Sequence, residues 1–202
     1  MLKNRIYILL VALMGILPIA AQHDTKAKEI LDKVSATYHQ SIGMRVDFKG
    51  TQVGTLWMKG EKFVLDCGGV KSWFDGETQW SYVADNEEVN ISTPTPEEIQ
   101  TVNPYALVSM YQKGFDYRFQ GTKTRNGKQG TEILLIPELK QDIRMFILTI
   151  GSNNIPFYIG IDMTNGHYEE FNLMKFEEQN LTDDFFRFDA ARYPNAEIID
   201  LR

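Results

Sequence analysis

The period of apolar and polar residues changes along the chain, and each change marks the boundary of an element. From Asp24 or Thr25 to about Gln40, the apolar residues Ala27, Ile30, Leu31, Val34 and Tyr38 recur at three- and four-residue spacing. This predicts a helix with one greasy face and a side-chain N-cap. After Gly43 the period drops to two: Met44, Val46 and Phe48 alternate with Arg45, Asp47 and Lys49, the pattern of a strand with one wet face. Further strands are predicted near residues 52–59, 61–67, 70–75, 77–83 and 88–93, joined by short turns at Gly60, Gly68-Gly69, Asp75-Gly76 and Asp85-Asn86. The Pro-containing run Thr93-Pro94-Thr95-Pro96 stops the sheet. The Thr-x-x-Glu pattern from Thr95 to Glu98 opens a second helix, with a break at Pro104, to about Lys113. Its greasy side is Ile99, Val102, Leu107, Met110 and Tyr111.

Beyond that helix the period returns to two. Phe115, Tyr117 and Phe119 alternate, 131–137 and 143–150 are dense in apolar residues, and Phe157, Ile159, Ile161 and Met163 alternate again. Residues 167–176 continue the ladder, and the tail from 185 to 201 offers one or two short strands. About eleven strands with hairpin-length connections predict a mainly β (α+β) fold on an antiparallel sheet rather than repeated βαβ units. Several strands are apolar on both faces: Ile133 to Ile136, Met145 to Leu148, and the adjacent pair Trp73-Phe74. A sheet with one wet face does not need this. A strongly curved sheet wrapped around the two helices does, and sheets of this size can enclose a ligand space. Eight methionines would make such a lining adaptable. Periodicity leaves a solidly filled core open as the other reading.

The chain begins Met-Leu-Lys-Asn-Arg and continues into an apolar run from Ile6 to Ile19, followed by Ala20-Ala21. This is the order of a secretory signal, cleaved after Ala21, and the run of about 14 residues falls short of the roughly 20 that a spanning helix needs. Residues 22–202 then form one soluble exported domain. The 21 basic and 27 acidic residues give a formal charge of −6, made more acidic by loss of Lys3 and Arg5, which excludes nucleic acid as a partner. The single cysteine, Cys67, cannot form an internal disulfide and reads as a small core residue. His23, His39 and His167 are too scattered for a metal-ligand spacing, and no Gly-x-Ser-x-Gly elbow is present. Acidic pairs such as Glu97-Glu98 and Glu169-Glu170 are adjacent residues, whose side chains on a strand point to opposite faces. No enzyme, cofactor or metal is therefore expected.

The block Gly54-Thr55-Leu56-Trp57-Met58-Lys59, then Phe63, then Phe74-Asp75-Gly76-Glu77-Thr78-Gln79-Trp80-Ser81-Tyr82 resembles two blocks of the LolA family of periplasmic outer-membrane lipoprotein carriers. Those blocks are Gly-x-Leu-Trp-x-Lys and Asp-Gly-Lys-x-x-Trp-x-Tyr. Asn103-Pro104-Tyr105-Ala106-Leu107 resembles the Asn-Pro segment of that family's central helical insertion, and the order agrees to the final Phe186-Arg187-Phe188. The resemblance implies an unclosed antiparallel half-barrel, its open side covered by helices, that shields the acyl chains of lipoproteins crossing the periplasm. It further implies acylated lipoproteins as cargo, an inner-membrane releasing complex and an outer-membrane receptor as partners, and a monomeric state. A lipid- or lipoprotein-sensing envelope protein of the same fold is the alternative.

Matching the blocks and following strand parity places Phe63, Leu65, Trp80 and Tyr82 at the mouth and wall of the expected cavity. Leu56, Met58, Phe146, Leu148, Phe157 and Ile159 join them on period alone, and Met110 from the second helix. One departure concerns the lid. The family's Arg-Pro, whose arginine latches the lid, is replaced by Gly60-Glu61, leaving Arg45 or Lys62 as candidate substitutes.

Overall fold

The computed structural model describes residues 24–96, 98–99 and 111–202. The expected signal peptide, Met110 and most of the second predicted helix lie outside the described residues. Helix α1 spans Thr25–His39 and is followed by β1 (Met44–Gly50), β2 (Val53–Lys59), β3 (Lys62–Cys67), β4 (Val70–Phe74), β5 (Gln79–Val83) and β6 (Glu88–Ser92). The second half holds β7 (Phe115–Arg125), β8 (Lys128–Pro137), β9 (Ile143–Ile150), β10 (Pro156–Met163) and β11 (Tyr168–Glu178), then two 3-10 turns and β12 (Glu197–Asp200).

All twelve strands form one sheet in the order β12-β6-β5-β4-β3-β2-β1-β11-β10-β9-β8-β7. Hairpins build each half, and antiparallel pairing of β1 with β11 joins them. The tail supplies a single strand, β12, parallel to β6, one more than the eleven expected. With β12 and β7 as free edges, the sheet is an open half-barrel rather than a closed one. Register shifts at Asp47/Phe48, at Phe119/Thr122 and at Pro156/Tyr158 interrupt the ladders, and such bulges bend strands and increase their twist.

Helix α1 lies on the inner face. Its buried residues Ala27, Leu31, Val34 and Tyr38 share one cluster with Val46, Leu56, Met58, Phe63, Phe146 and Leu148 of the sheet. Asp24 caps it as the sequence predicts: Oδ1 accepts from the N–H groups of Lys26 (2.9 Å) and Ala27 (3.1 Å). The other carboxylate oxygen accepts from Phe119 N–H at 3.1 Å, tying the helix start to edge strand β7. At its far end the Tyr38 hydroxyl donates to the Gly60 carbonyl in the β2–β3 turn. Tyr111 donates to Asp32 midway along. The expected capping box is also present, with Thr95 N–H donating to Glu98 Oε2 (2.7 Å) and Glu98 N–H to Thr95 Oγ1 (3.3 Å).

The outer face has its own cover. After β11 the chain crosses β2–β5, and Leu181, Phe186, Phe188 and Tyr193 pack on Val64, Trp57, Trp73, Trp80 and Tyr82. Polar ties fix this strap: Lys59 donates to the Leu181 carbonyl (2.7 Å), Lys62 pairs with Asp183 (3.0 Å) and Arg187 with Asp75 (3.3 Å). Two-sided burial is incomplete in β8 and β9. Their inward residues Ile133, Leu135, Phe146 and Leu148 are fully buried, whereas Leu134, Met145 and Ile147 opposite them are only half-buried.

Candidate functional site

A cavity of about 470 Å³ opens on the inner face between β1–β5 and β10–β11. Val46, Phe48, Leu56, Leu65, Val70, Ile159, Ile161, Phe171 and Leu173 form its apolar lining, and Gln52, Ser72, Gln79, Ser81 and Glu169 its polar one, with Cys67 and Gly68 completing the wall. Strand register explains the assembly. Val46, Leu56, Leu65, Ser72 and Ser81 are successive cross-strand partners from β1 to β5, so they stand in one row on one face. On the other wall Ile159 pairs with Phe171 and Ile161 with Glu169. Gly54 is required by close approach: a Cβ there would meet Phe48 Cζ at 2.6 Å and the Asp66 carbonyl oxygen at 2.5 Å. Its bare backbone lets the Phe48 ring lie across β2 into the cavity wall.

The polar side is organised. Ser72 and Ser81 hydroxyls lie 2.9 Å apart, and the Gln79 amide donates to Ser81 Oγ at 3.0 Å. Near Gln52, the Cys67 thiol donates to Gln52 Oε1 at 2.8 Å. Burial, with help from the carboxylates of Asp66 and Glu169, pushes the thiol pKa up, which keeps it protonated and poorly nucleophilic. No cluster of three or more His, Cys, Asp or Glu side chains able to hold a metal occurs among the described residues.

The residues singled out in the sequence separate into groups. Leu56, Leu65 and Ile159 line the cavity. Met58, Phe63, Phe146 and Leu148 lie on the same face but are fully buried in the neighbouring core, where Phe63 packs on Phe74 at 5.4 Å between ring centroids. Trp80 and Tyr82 lie on the opposite face, in the cluster under the tail. Parity is the reason: Ser81 faces the cavity, so its two neighbours cannot. Phe157 is diverted by the irregularity between Pro156 and Tyr158 and lines a separate depression with Lys49, Arg125, Asn126, Lys128 and Met174. Met110 lies outside the described residues.

Both candidate latch residues have partners among the described residues. Arg45 pairs with Asp47 (2.9 Å) and stacks over Trp57, and Lys62 pairs with Asp183 of the tail. Gly60 adopts φ +58, a left-handed conformation costly for an arginine, and it is the Gly60 backbone carbonyl that holds Tyr38 of α1.

The polar wall of Ser72, Gln79 and Ser81 follows from strand register, whose signal is in the sequence. The two-residue turn Gly68-Gly69 fixes Cys67 opposite Val70, which sets Leu65 opposite Ser72. Aromatics at 80 and 82 draw the eye inward, but register puts the polar members of that strand inside.

An open, helix-covered β half-barrel with an apolar hollow on its inner face defines a ligand-cavity class of fold. The sequence matches the family model described as outer membrane lipoprotein carrier protein LolA over residues 17–166, and the chain belongs to that family. An uncharacterized conserved protein from Thermus thermophilus shares the fold at 15% identity and TM-score 0.62, with 87% of this chain and 99% of that one covered. A putative outer membrane lipoprotein-sorting protein domain from Vibrio parahaemolyticus is similar at 10% identity and TM-score 0.49, covering 79% of this chain and 96% of that one. The Mycobacterium tuberculosis lipoprotein LppX is similar at 15% identity and TM-score 0.44, covering 78% and 99%. At 15% identity the likeness to the Thermus thermophilus protein shows fold alone. No curated protein matches the sequence. Among the described residues no helix is long and apolar enough to cross a membrane.

Proposed function

We propose that this protein is a periplasmic carrier that hides an acyl chain of a lipidated partner in the inner-face cavity and moves it between the two membranes of a bacterial envelope. The observation that carries the reading is an apolar hollow of about 470 Å³ on the inner face of a lipoprotein-carrier fold. Wetting a chain of about 15 methylenes costs on the order of 12 kcal/mol, so an acyl chain does not cross water unaided at useful rates. Valine, leucine, isoleucine and phenylalanine contacts lower that cost without fixing one pose, which suits a carrier that must also release. The volume lies within the roughly 300–1,000 Å³ of ordinary ligand pockets, enough for one chain. Further chains require α1 to move, and the ties that yield are Tyr38 to Gly60 and Asp24 to Phe119. The role involves no bond making or breaking. Cargo passes from an inner-membrane releasing complex to an outer-membrane receptor.

The test is release of acylated lipoproteins from spheroplasts by the purified protein. Wild type is expected to carry them into the soluble fraction. Leu65→Trp, which fills the hollow, is expected to leave them on the membrane while remaining folded. Wild-type protein that solubilises none, and that is lipid-free when purified from envelope extracts, removes the carrier reading.

A further inference from the structure

Strand β5 reverses the usual rule of apolar in and polar out. Its aromatics Trp80 and Tyr82 face outward beneath the tail, while Gln79 and Ser81 face the cavity, where Ser72 joins them from β4. Ser72 is 5% exposed, and Gln79 and Ser81 are half-buried. The hydrogen bonds of this polar wall do not close on themselves. In the pair at 2.9 Å one hydroxyl hydrogen serves the other oxygen, and Ser81 Oγ also accepts one amide hydrogen of Gln79 at 3.0 Å. Among the described residues, that leaves the second serine hydrogen, the second amide hydrogen and the Gln79 carbonyl oxygen without a protein partner. The wall therefore offers donors and an acceptor together.

Charge adds a second, independent constraint. Among the described residues of the lining there is one acidic side chain, Glu169, and neither lysine nor arginine. Glu169 lies 3.5 Å from the imidazole of His167. In the adjoining depression beyond Gln79, the Arg202 guanidinium is committed to Asp200 at 2.6 Å, and Glu98 adds another carboxylate. A carboxylate or phosphate entering this space would lose its hydration and meet a like charge with no cation to offset it.

We infer that the cavity selects amphiphiles whose headgroup is uncharged and both donates and accepts hydrogen bonds, a glyceryl hydroxyl or an amide, over those ending in a carboxylate or phosphate. The inference rests on the lipid-binding reading above and adds to it which lipids are taken. The acyl chain lies against Leu56, Leu65 and Ile159, and the headgroup meets Ser72, Gln79 and Ser81.

The experiment compares monopalmitoylglycerol with palmitate, which share one chain, by calorimetry on the delipidated full-length mature protein at pH 8. The glyceride is expected to bind at least about tenfold more tightly, the size of effect that one or two well-placed hydrogen bonds and an avoided charge burial produce. Ser72→Ala/Ser81→Ala is expected to weaken the glyceride several-fold and leave palmitate unchanged. Glu169→Gln is expected to strengthen palmitate alone. Thermal melts of both variants establish that they are folded. Equal affinities in wild type, or tighter palmitate binding, overturn the selectivity while leaving the acyl-binding reading intact. Binding of neither lipid overturns both.

Discussion

Phe63 and Leu65 stand two residues apart on the same face of β3, yet only one borders empty space. Phe63 is fully buried against Phe74 and the core under α1, whereas Leu65 is half-buried on the cavity wall. Phe63→Ala should cost about 3–5 kcal/mol in urea unfolding, the range for a buried aromatic truncated in a packed core. Leu65→Trp should cost about 1 kcal/mol or less, because the added volume enters a void rather than a filled site. Comparable losses for the two would mean that the wall at Leu65 is as tightly packed as the core. Period and block matching put both residues inward, and both stand on the inner face. Neither could say which faces a hole, because a strand records only its side and not the volume left between opposed walls. Trp80, Tyr82 and Phe157 show two further limits. The first two depend on register carried across two hairpins, and the third on a bulge that no local pattern announces.

At the scale of elements, most boundaries were legible. β9 is predicted and found at 143–150, α1 begins at its predicted cap, and the Thr95–Glu98 box forms as its spacing requires. Short turns and a strict period of two leave little freedom in such a chain. What could not be read was how elements are tied together. Asp24 is an example: its sequence context marks a cap, but its bond to Phe119 of β7 depends on the tertiary fold. The N–H groups of Ala27 first, then of Phe119, hold its carboxyl below the usual 3.8. A carboxyl with a lowered folded-state pKa stabilises the protein above the unfolded-state value, and that contribution is lost as pH falls through the folded value. Asp24→Ala is therefore expected to destabilise by about 1 kcal/mol at pH 7, with the gap to wild type narrowing below about pH 4. Urea melts at pH 7 and pH 3 check this, and a gap that widens at pH 3 would contradict it.

The tail is the other element that sequence underdetermined. All three tryptophans, Trp57, Trp73 and Trp80, sit in the cluster it covers. Truncation after Asn180 should shift tryptophan emission to the red. It should also remove at least about 3 kcal/mol of stability, from the buried Leu181 and Phe186 alone. Unchanged emission would mean that the strap does not seat on those rings in solution.

At the scale of the whole molecule, the sheet assigns different tasks to its two faces. The outer face of β2–β5 is sealed by the chain's own tail, while the inner face is filled beneath α1 and left hollow towards β4 and β5. The division follows from strand pairing: one face gathers Leu56, Leu65, Ser72 and Ser81, and the other the tryptophans. The most direct test is a crystal structure with a monoacylglycerol carrying bromine at the end of its chain, using the anomalous signal to place the atom. A bromine peak inside the hollow between Leu56 and Ile159 is the expected result. A peak confined to the depression beside Phe157 and Met174, or no ordered bromine in crystals grown at saturating lipid, would contradict the account.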